Sequence, residues 1–217
     1  MSAIRVLLVD DHVAFRKGVA DLLAAERGFE LVGEAGDGLE ALELARELVP
    51  DVVLMDLSMP RMDGLEATRR IKAELPCVRV VVLTVSEGGP SVLGSMKSGA
   101  HGYLLKSVAP RVLLDTVRRV ARGEAPLSRA MAARLLEEPP RGPGLTLRER
   151  EVLGLTAQGK SDKKIAAALG IPGSVVKNAL KNILEKLHRE QGVQSAAPAP
   201  RQDLAALPDG GEAGRAR

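Results

Sequence analysis

Ile4-Arg-Val-Leu-Leu-Val-Asp-Asp11 and Val52-Val-Leu-Met-Asp56 decide the fold: each is a short apolar run that stops abruptly at a carboxylate. A strand apolar along its whole length is buried on both faces, as in a parallel sheet covered by helices. Working outward, similar runs recur at residues 30–34, 78–83 and 102–105. Between them, residues 15–25, 39–48, 65–74, 91–98 and 112–121 place apolar side chains at i, i+3 and i+4, the helical period. Five strand–helix pairs in succession predict an α/β domain over residues 1–122, a five-stranded parallel sheet with helices on both faces.

In such open sheets a ligand sits beyond the carboxyl ends of the strands, at the point where the strand order reverses. Asp10, Asp56, Thr84 and Lys106 all fall at or just past a strand's end. Adjacent parallel strands would bring Asp10, Asp11 and Asp56 together. Carboxylates so close repel unless a cation neutralises them. Magnesium suits oxygen donors and keeps room for a phosphate. One carboxylate can then act as a nucleophile and form an acyl phosphate. Thr84 offers a hydroxyl and Lys106 a positive charge to the incoming phosphoryl group.

Residues 123–143 read as a linker with a short helix at 130–136, which Glu138-Pro-Pro-Arg-Gly-Pro-Gly144 cannot continue. An all-α unit follows over residues 144–190. Thr146-Leu-Arg-Glu149 has the spacing of a capping box. Three helices are expected, at residues 147–157, 162–169 and 174–188, with Gly159 and Gly170 at helix stops. From 191 the chain turns rich in Ala, Pro and Gly and reads as a disordered tail.

Composition narrows the function. Aromatic residues make up 1% with no tryptophan, which argues against base-stacking platforms for single strands or RNA. Residues 144–190 carry a net positive charge beside a near-neutral first half, which points to a polyanion partner. Cys77 is the only cysteine, so no internal disulfide is expected. The start of the chain shows no signal-peptide pattern, and no apolar run approaches the ~20 residues of a membrane span. A cytoplasmic protein with no membrane partner is expected. His12, His101 and His188 stand far apart without histidine or cysteine neighbours, which argues against a transition-metal site.

Residues 1–122 resemble the receiver domain of two-component response regulators. The resemblance rests on Val6-Leu-Leu-Val-Asp-Asp11, Val53-Leu-Met-Asp56, Met59-Pro-Arg-Met-Asp-Gly64, Val82-Leu-Thr84 and Gly99-Ala-His-Gly-Tyr-Leu-Leu-Lys106. It implies a flavodoxin-like fold and phosphorylation of Asp56 by a sensor histidine kinase. Asp11, Asp56 and the carbonyl of Ser58 would bind Mg2+ directly, with Asp10 assisting. Thr84 and Lys106 would sense the acyl phosphate, and Tyr103 would turn inward as Thr84 moves. Two positions depart from the family pattern. Val85 is bulkier than the residue usual there and narrows the route to the phosphate. Ser107 replaces a common proline, without which a cis bond would cost about 2.5–4 kcal/mol.

Leu145-Thr-Leu-Arg-Glu-Arg-Glu-Val-Leu153, Ala157-Gln-Gly-Lys160 and Lys164-Ile-Ala166 resemble the LuxR-type helix-turn-helix, and the whole chain is similar to the NarL/FixJ response regulators. The resemblance implies promoter DNA as partner, with the last helix in the major groove. Ser174, Lys177, Asn178 and Lys181 would face the DNA, the lysines on phosphates and Asn178 on an adenine. Val176, Leu180, Ile183, Leu184 and Leu187 would be buried. Pro172, Val175, Ala179 and Asp162-Lys-Lys164 depart from the family pattern, and Ser195-Ala-Ala-Pro-Ala-Pro200 replaces its closing dimer helix.

Regulation is the leading expectation: phosphorylation at Asp56 frees or dimerises the DNA-binding domain, so a homodimer is among the expected states. A receiver with a degenerate helix-turn-helix that contacts protein is the alternative. An aspartate-nucleophile hydrolase needs a second carboxylate two residues after the nucleophile, where Ser58 stands. The chain is therefore read as a non-enzyme, with slow autophosphorylation from small donors and slow loss of its own phosphate.

Overall fold

The computed structural model describes residues 2–85, 92–124, 126–137 and 144–189. Its first part alternates strand and helix: β1 (Ile4–Val9), α1 (Val13–Ala25), β2 (Phe29–Ala35), α2 (Gly38–Leu48), β3 (Val52–Asp56), α3 (Gly64–Glu74), β4 (Arg79–Thr84), α4 (Val92–Lys97), β5 (Gly102–Leu105) and α5 (Pro110–Ala121). Then come α6 (Arg129–Glu137), α7 (Leu147–Ala157), α8 (Asp162–Leu169) and α9 (Gly173–Arg189). The sheet runs in the order β2-β1-β3-β4-β5 with every pair parallel. The chain moves from β1 out to β2, then crosses back to β3, so the order reverses between β1 and β3.

Alternation along the strands sorts the side chains into two cores. Val6, Leu8, Val52, Leu54, Val81 and Leu83 face α1 and α5, joining Val19, Leu23, Val117 and Val120. Leu7, Val9, Val53, Met55, Val80 and Val82 point the other way and join Ala41, Ala45, Ala67, Ile71 and Met96 of α2, α3 and α4. Buried aliphatic area at roughly 25 cal/mol per Å2 drives both layers. The second core does not end at the receiver-like half. It runs on through Met131 and Leu135 of α6 to Val152, Ile165, Val176, Leu180 and Ile183 of the helical part.

Local signals account for the boundaries. α2 starts where Asp37 accepts the N–H groups of Leu39 (2.8 Å) and Glu40 (3.2 Å), and α3 where Asp63 accepts that of Glu66 (2.8 Å). The expected capping box opens α7: the Thr146 hydroxyl accepts the Glu149 N–H and the Glu149 carboxylate accepts the Thr146 N–H. α8 stops at Gly170, which is left-handed at φ 63°.

Several elements differ in extent from expectation. α5 begins at Pro110 rather than 112, because proline suits the first turn although the apolar period starts later. β4 begins at Arg79 rather than 78, since the Val78 N–H is spent in a turn on the Leu75 carbonyl. The short helix foreseen at 130–136 spans Arg129–Glu137 and does more than join two halves. Its Met131, Ala132 and Leu135 are buried in the core shared with α4 and α7. Residues 138–143, Ser91 and the tail from 191, each the subject of an expectation, lie outside the described residues.

Candidate functional site

β1 and β3 lie side by side with Val9 opposite Met55, so Asp10 and Asp56 leave the sheet at one edge. On the far side of β3, Thr84 of β4 pairs with Leu105 of β5, and the Lys106 N–H donates to the Thr84 carbonyl at 2.7 Å. Lys106 reaches back over the strand ends. Its Nζ lies 2.6 Å from Asp10 Oδ2 and 3.0 Å from Asp56 Oδ2. Phe15 of α1 floors it, the ammonium standing 4.9 Å from the ring centroid. Asp10, Asp56 and Thr84 are all buried.

The backbone around Asp56 is held by close approach. Asp56 Oδ1 accepts the Leu57 N–H at 2.8 Å, and Gly64 at the head of α3 donates to the Leu57 carbonyl at 3.0 Å. A Cβ on Gly64 would sit 1.9 Å from the Asp56 carbonyl oxygen, so only glycine lets α3 start this near β3. On the other flank, Arg16 Nη1 donates to the Asp10 carbonyl at 2.5 Å, and the His12 N–H donates to Asp10 Oδ1 at 2.9 Å.

The charges shift as this packing dictates. Burial raises the Asp56 carboxyl above its usual range, and the Asp10 charge adds to that; Lys106 and the Leu57 N–H pull the other way. Burial weakens the Lys106 ammonium, but hydrogen bonding to Asp10 and Asp56 outweighs it and raises the group. Lys106 is thus a fixed cation clamped between two acids.

The donor set fits a hard divalent cation. Ligand atoms of Asp10, Asp11 and Asp56 lie within 4.8 Å of one another, with a nitrogen of His12 in the same group. Asp10 Oδ2 is buried and faces the Lys106 ammonium. Beside this cluster a pocket of about 530 Å3 opens, lined by Asp11, Ser58, Met59, Pro60 and Asp63 among others. His12 has no histidine or cysteine neighbour in the sequence. Here its Nδ1 lies 2.7 Å from Asp11 Oδ1. Val85 stands 75% exposed, and the Lys106–Ser107 bond is trans. Tyr103 is buried and belongs to the core that continues into the helical part.

The second group of expected residues sits on α9. Val176, Leu180, Ile183 and Leu184 are buried, Leu187 partly so, while Ser174, Lys177, Asn178 and Lys181 are exposed. The face is as expected, but its surroundings are not. Lys177, Asn178 and Lys181 line a crevice of about 120 Å3 with Arg119, Gly123 and Glu124 from the end of α5. Lys177 Nζ lies 3.4 Å from Glu124 Oε1, and Arg119 Nη2 lies 3.1 Å from Asp162 of α8. Burial alone would raise Glu124, yet hydrogen bonds from Arg119 and Arg122 and the Lys177 charge hold it below the usual carboxylate range. Ser174 lies outside this crevice, and Lys181 also faces Glu185 at 3.7 Å.

A sheet whose reversal point holds a buried acidic cluster with a clamped lysine, joined to a helix-turn-helix, defines a receiver coupled to a DNA-binding module. Comparison with known proteins agrees over almost the whole chain. Residues 6–118 match the response regulator receiver domain, and residues 143–198 match the bacterial regulatory proteins of the luxR family. The transcriptional regulatory protein LiaR of Bacillus subtilis is 41% identical over 208 residues, 93% of this chain and 99% of that protein. The nitrate/nitrite response regulator NarP of Escherichia coli is 40% identical over 190 residues, 85% of this chain and 88% of the other. The RcsB response regulator of Salmonella typhimurium superposes with a TM-score of 0.57 at 27% identity, over 86% of this chain and 93% of that one. The chain belongs to the two-component response regulators of the NarL/LuxR family. It carries a receiver and a LuxR-type helix-turn-helix DNA-binding domain. Among the described residues, no helix is long and apolar enough to cross a membrane.

Sequence reasoning missed the docking side of this arrangement. Nothing in the local spacing of Glu124, Arg119 and Asp162 links α5 to α8 and α9.

Proposed function

We propose that Asp56 is the phosphoacceptor and that its phosphorylation by a sensor histidine kinase releases the helix-turn-helix for promoter DNA. The observation that supports this most is Lys106 bridging Asp10 and Asp56 at the reversal point of the sheet. An Asp56 oxygen attacks the phosphorus of the kinase phosphohistidine; a P–O bond forms as the P–N bond breaks, and the imidazole leaves. Asp10, Asp11, Asp56 and the Ser58 carbonyl would hold Mg2+, which supplies charge neutralisation for the incoming phosphoryl group. Lys106 pairs with a phosphoryl oxygen, and the Thr84 hydroxyl moves to donate to another. Tyr103, buried beside the domain junction, is the aromatic that follows Thr84.

In this reading the receiver covers residues 1–122, the connecting segment 123–143, the DNA-binding domain 144–190 and a tail 191–217. Ser174, Lys177, Asn178 and Lys181 contact DNA once Glu124 no longer engages Lys177. The protein works in the cytoplasm, accepts phosphate slowly from small donors, loses it slowly and forms a homodimer on DNA. A mobility-shift assay on promoter fragments, with acetyl phosphate and Mg2+, tests the reading. Wild type should bind more tightly after treatment and Asp56→Ala should not respond. Phosphorylation of wild type without any gain in DNA affinity would overturn the coupling.

A further inference from the structure

Far from the acidic pocket, at the junction of the two halves, lies a pair of histidines that the phosphorelay does not use. His101 precedes β5, and His188 closes α9. Their ring centroids stand 5.6 Å apart at 67°, edge to face. His188 is buried, and its Nε2 donates to the Ala100 carbonyl at 2.9 Å, tying the end of α9 to the receiver. His101 Nδ1 accepts the Val80 N–H at 3.3 Å, which uses the lone pair a second proton would need.

We infer that His101 and His188 form a proton-operated latch that keeps α9 docked at neutral pH and lets it go in mild acid. The inference rests on the reading above, in which docking withholds α9 from DNA. The groups facing the pair are mostly cationic. Lys72 of α3 and Arg79 of β4 both disfavour an imidazolium at His101, and Lys72 does so at His188. Lys72 donates to the Val78 carbonyl at 2.8 Å and to that of Pro76. Glu185, on α9 itself, is the acid that acts on His188 among the described residues, and it also serves Lys181.

Burial, first of all, lowers both histidines in the docked form; Lys72 and Arg79 lower His101 further, while at His188 the hydrogen bond to the Ala100 carbonyl and the Glu185 charge offset the burial only in part. Undocking returns them toward the ordinary value of about 6.5. The docked form therefore binds fewer protons than the open one. Its advantage is complete above about pH 6.5 and erodes as the pH falls below it. Between pH 7.5 and 5.5 each histidine that regains its ordinary value raises the open-to-docked ratio about tenfold, so the pair gives up to about a hundredfold.

Hydrogen exchange of the unphosphorylated full-length protein, expressed as protection factors for α4 and α9 amides, reads the opening at both pH values. Promoter affinity is measured in parallel. Protection in wild type should drop by tenfold to a hundredfold at pH 5.5, while His101→Gln/His188→Gln, which cannot titrate there, should stay level. If that variant is already open at pH 7.5, His101→Gln alone keeps the His188 hydrogen bond and should retain only about a tenfold response. Unchanged wild-type protection, or an equal response in the double variant, overturns the latch. Protection that falls without a gain in DNA affinity would uphold the latch and refute the reading that docking withholds DNA.

Discussion

Gly64→Ala should damage both stability and phosphorylation, although it adds a single methyl group. The new Cβ would lie 1.9 Å from the Asp56 carbonyl oxygen, 2.9 Å from its carbonyl carbon and 3.0 Å from Leu57 Cα. All three neighbours are backbone, so no side chain can rotate away. Ordinary contact begins near 3.4 Å, so α3 must retreat from β3 and weaken the Gly64-to-Leu57 hydrogen bond. Overpacking costs about 1–3 kcal/mol, and a τ distortion near 15° costs about 4 kcal/mol. We expect a loss of about 3 kcal/mol or more. For a chain of this size that lowers Tm by at least roughly 6 °C. Urea unfolding gives the stability, and acetyl phosphate labelling gives the second readout, since the displaced carbonyl belongs to Asp56 itself. A loss under about 1 kcal/mol with normal labelling would show that the close approach is not what positions Asp56.

Thr146→Ala removes the capping-box hydroxyl of α7 and should cost about 1 kcal/mol in urea unfolding, with DNA contacts untouched. Glu124→Gln removes the carboxylate that engages Lys177, Arg119 and Arg122; these pairs are partly solvated, so the gain in DNA affinity of unphosphorylated protein should be at most about fivefold. Glu149 is held below its usual range: burial would raise it, but Lys186 at 2.6 Å and the Thr146 N–H prevail. Its contribution is therefore complete above about pH 4.3 and lost as the pH falls further, and Glu149→Gln should flatten that acid limb in unfolding experiments between pH 5 and 3.

The sheet was legible because its strands are apolar on both faces and its turns are marked by capping aspartates and glycines. Asp10, Asp56, Thr84 and Lys106 were legible for the same reason, since their places follow from strand ends and strand order alone. The exposed and buried faces of α9 followed from the 3.6-residue period. What that period does not encode is which partner covers a face. Met131 and Leu135 read as an ordinary short amphipathic helix, yet they sit in a core continuous with Met96 and Tyr103. His101 and His188 read as isolated because 86 residues intervene; only the docking of α9 on α4 brings them together. Such contacts depend on the free energy of whole surfaces rather than on any local pattern.

The carboxylate of Glu124 beside Lys177 amounts to a tethered stand-in for a DNA phosphate. Being on the same chain, it competes at an effective concentration on the millimolar scale, whatever the dilution of the protein. Added salt weakens DNA binding by restoring counterions, but it also screens this internal competitor. The two effects oppose each other, so unphosphorylated protein should show a shallower salt dependence than its exposed lysines alone would give.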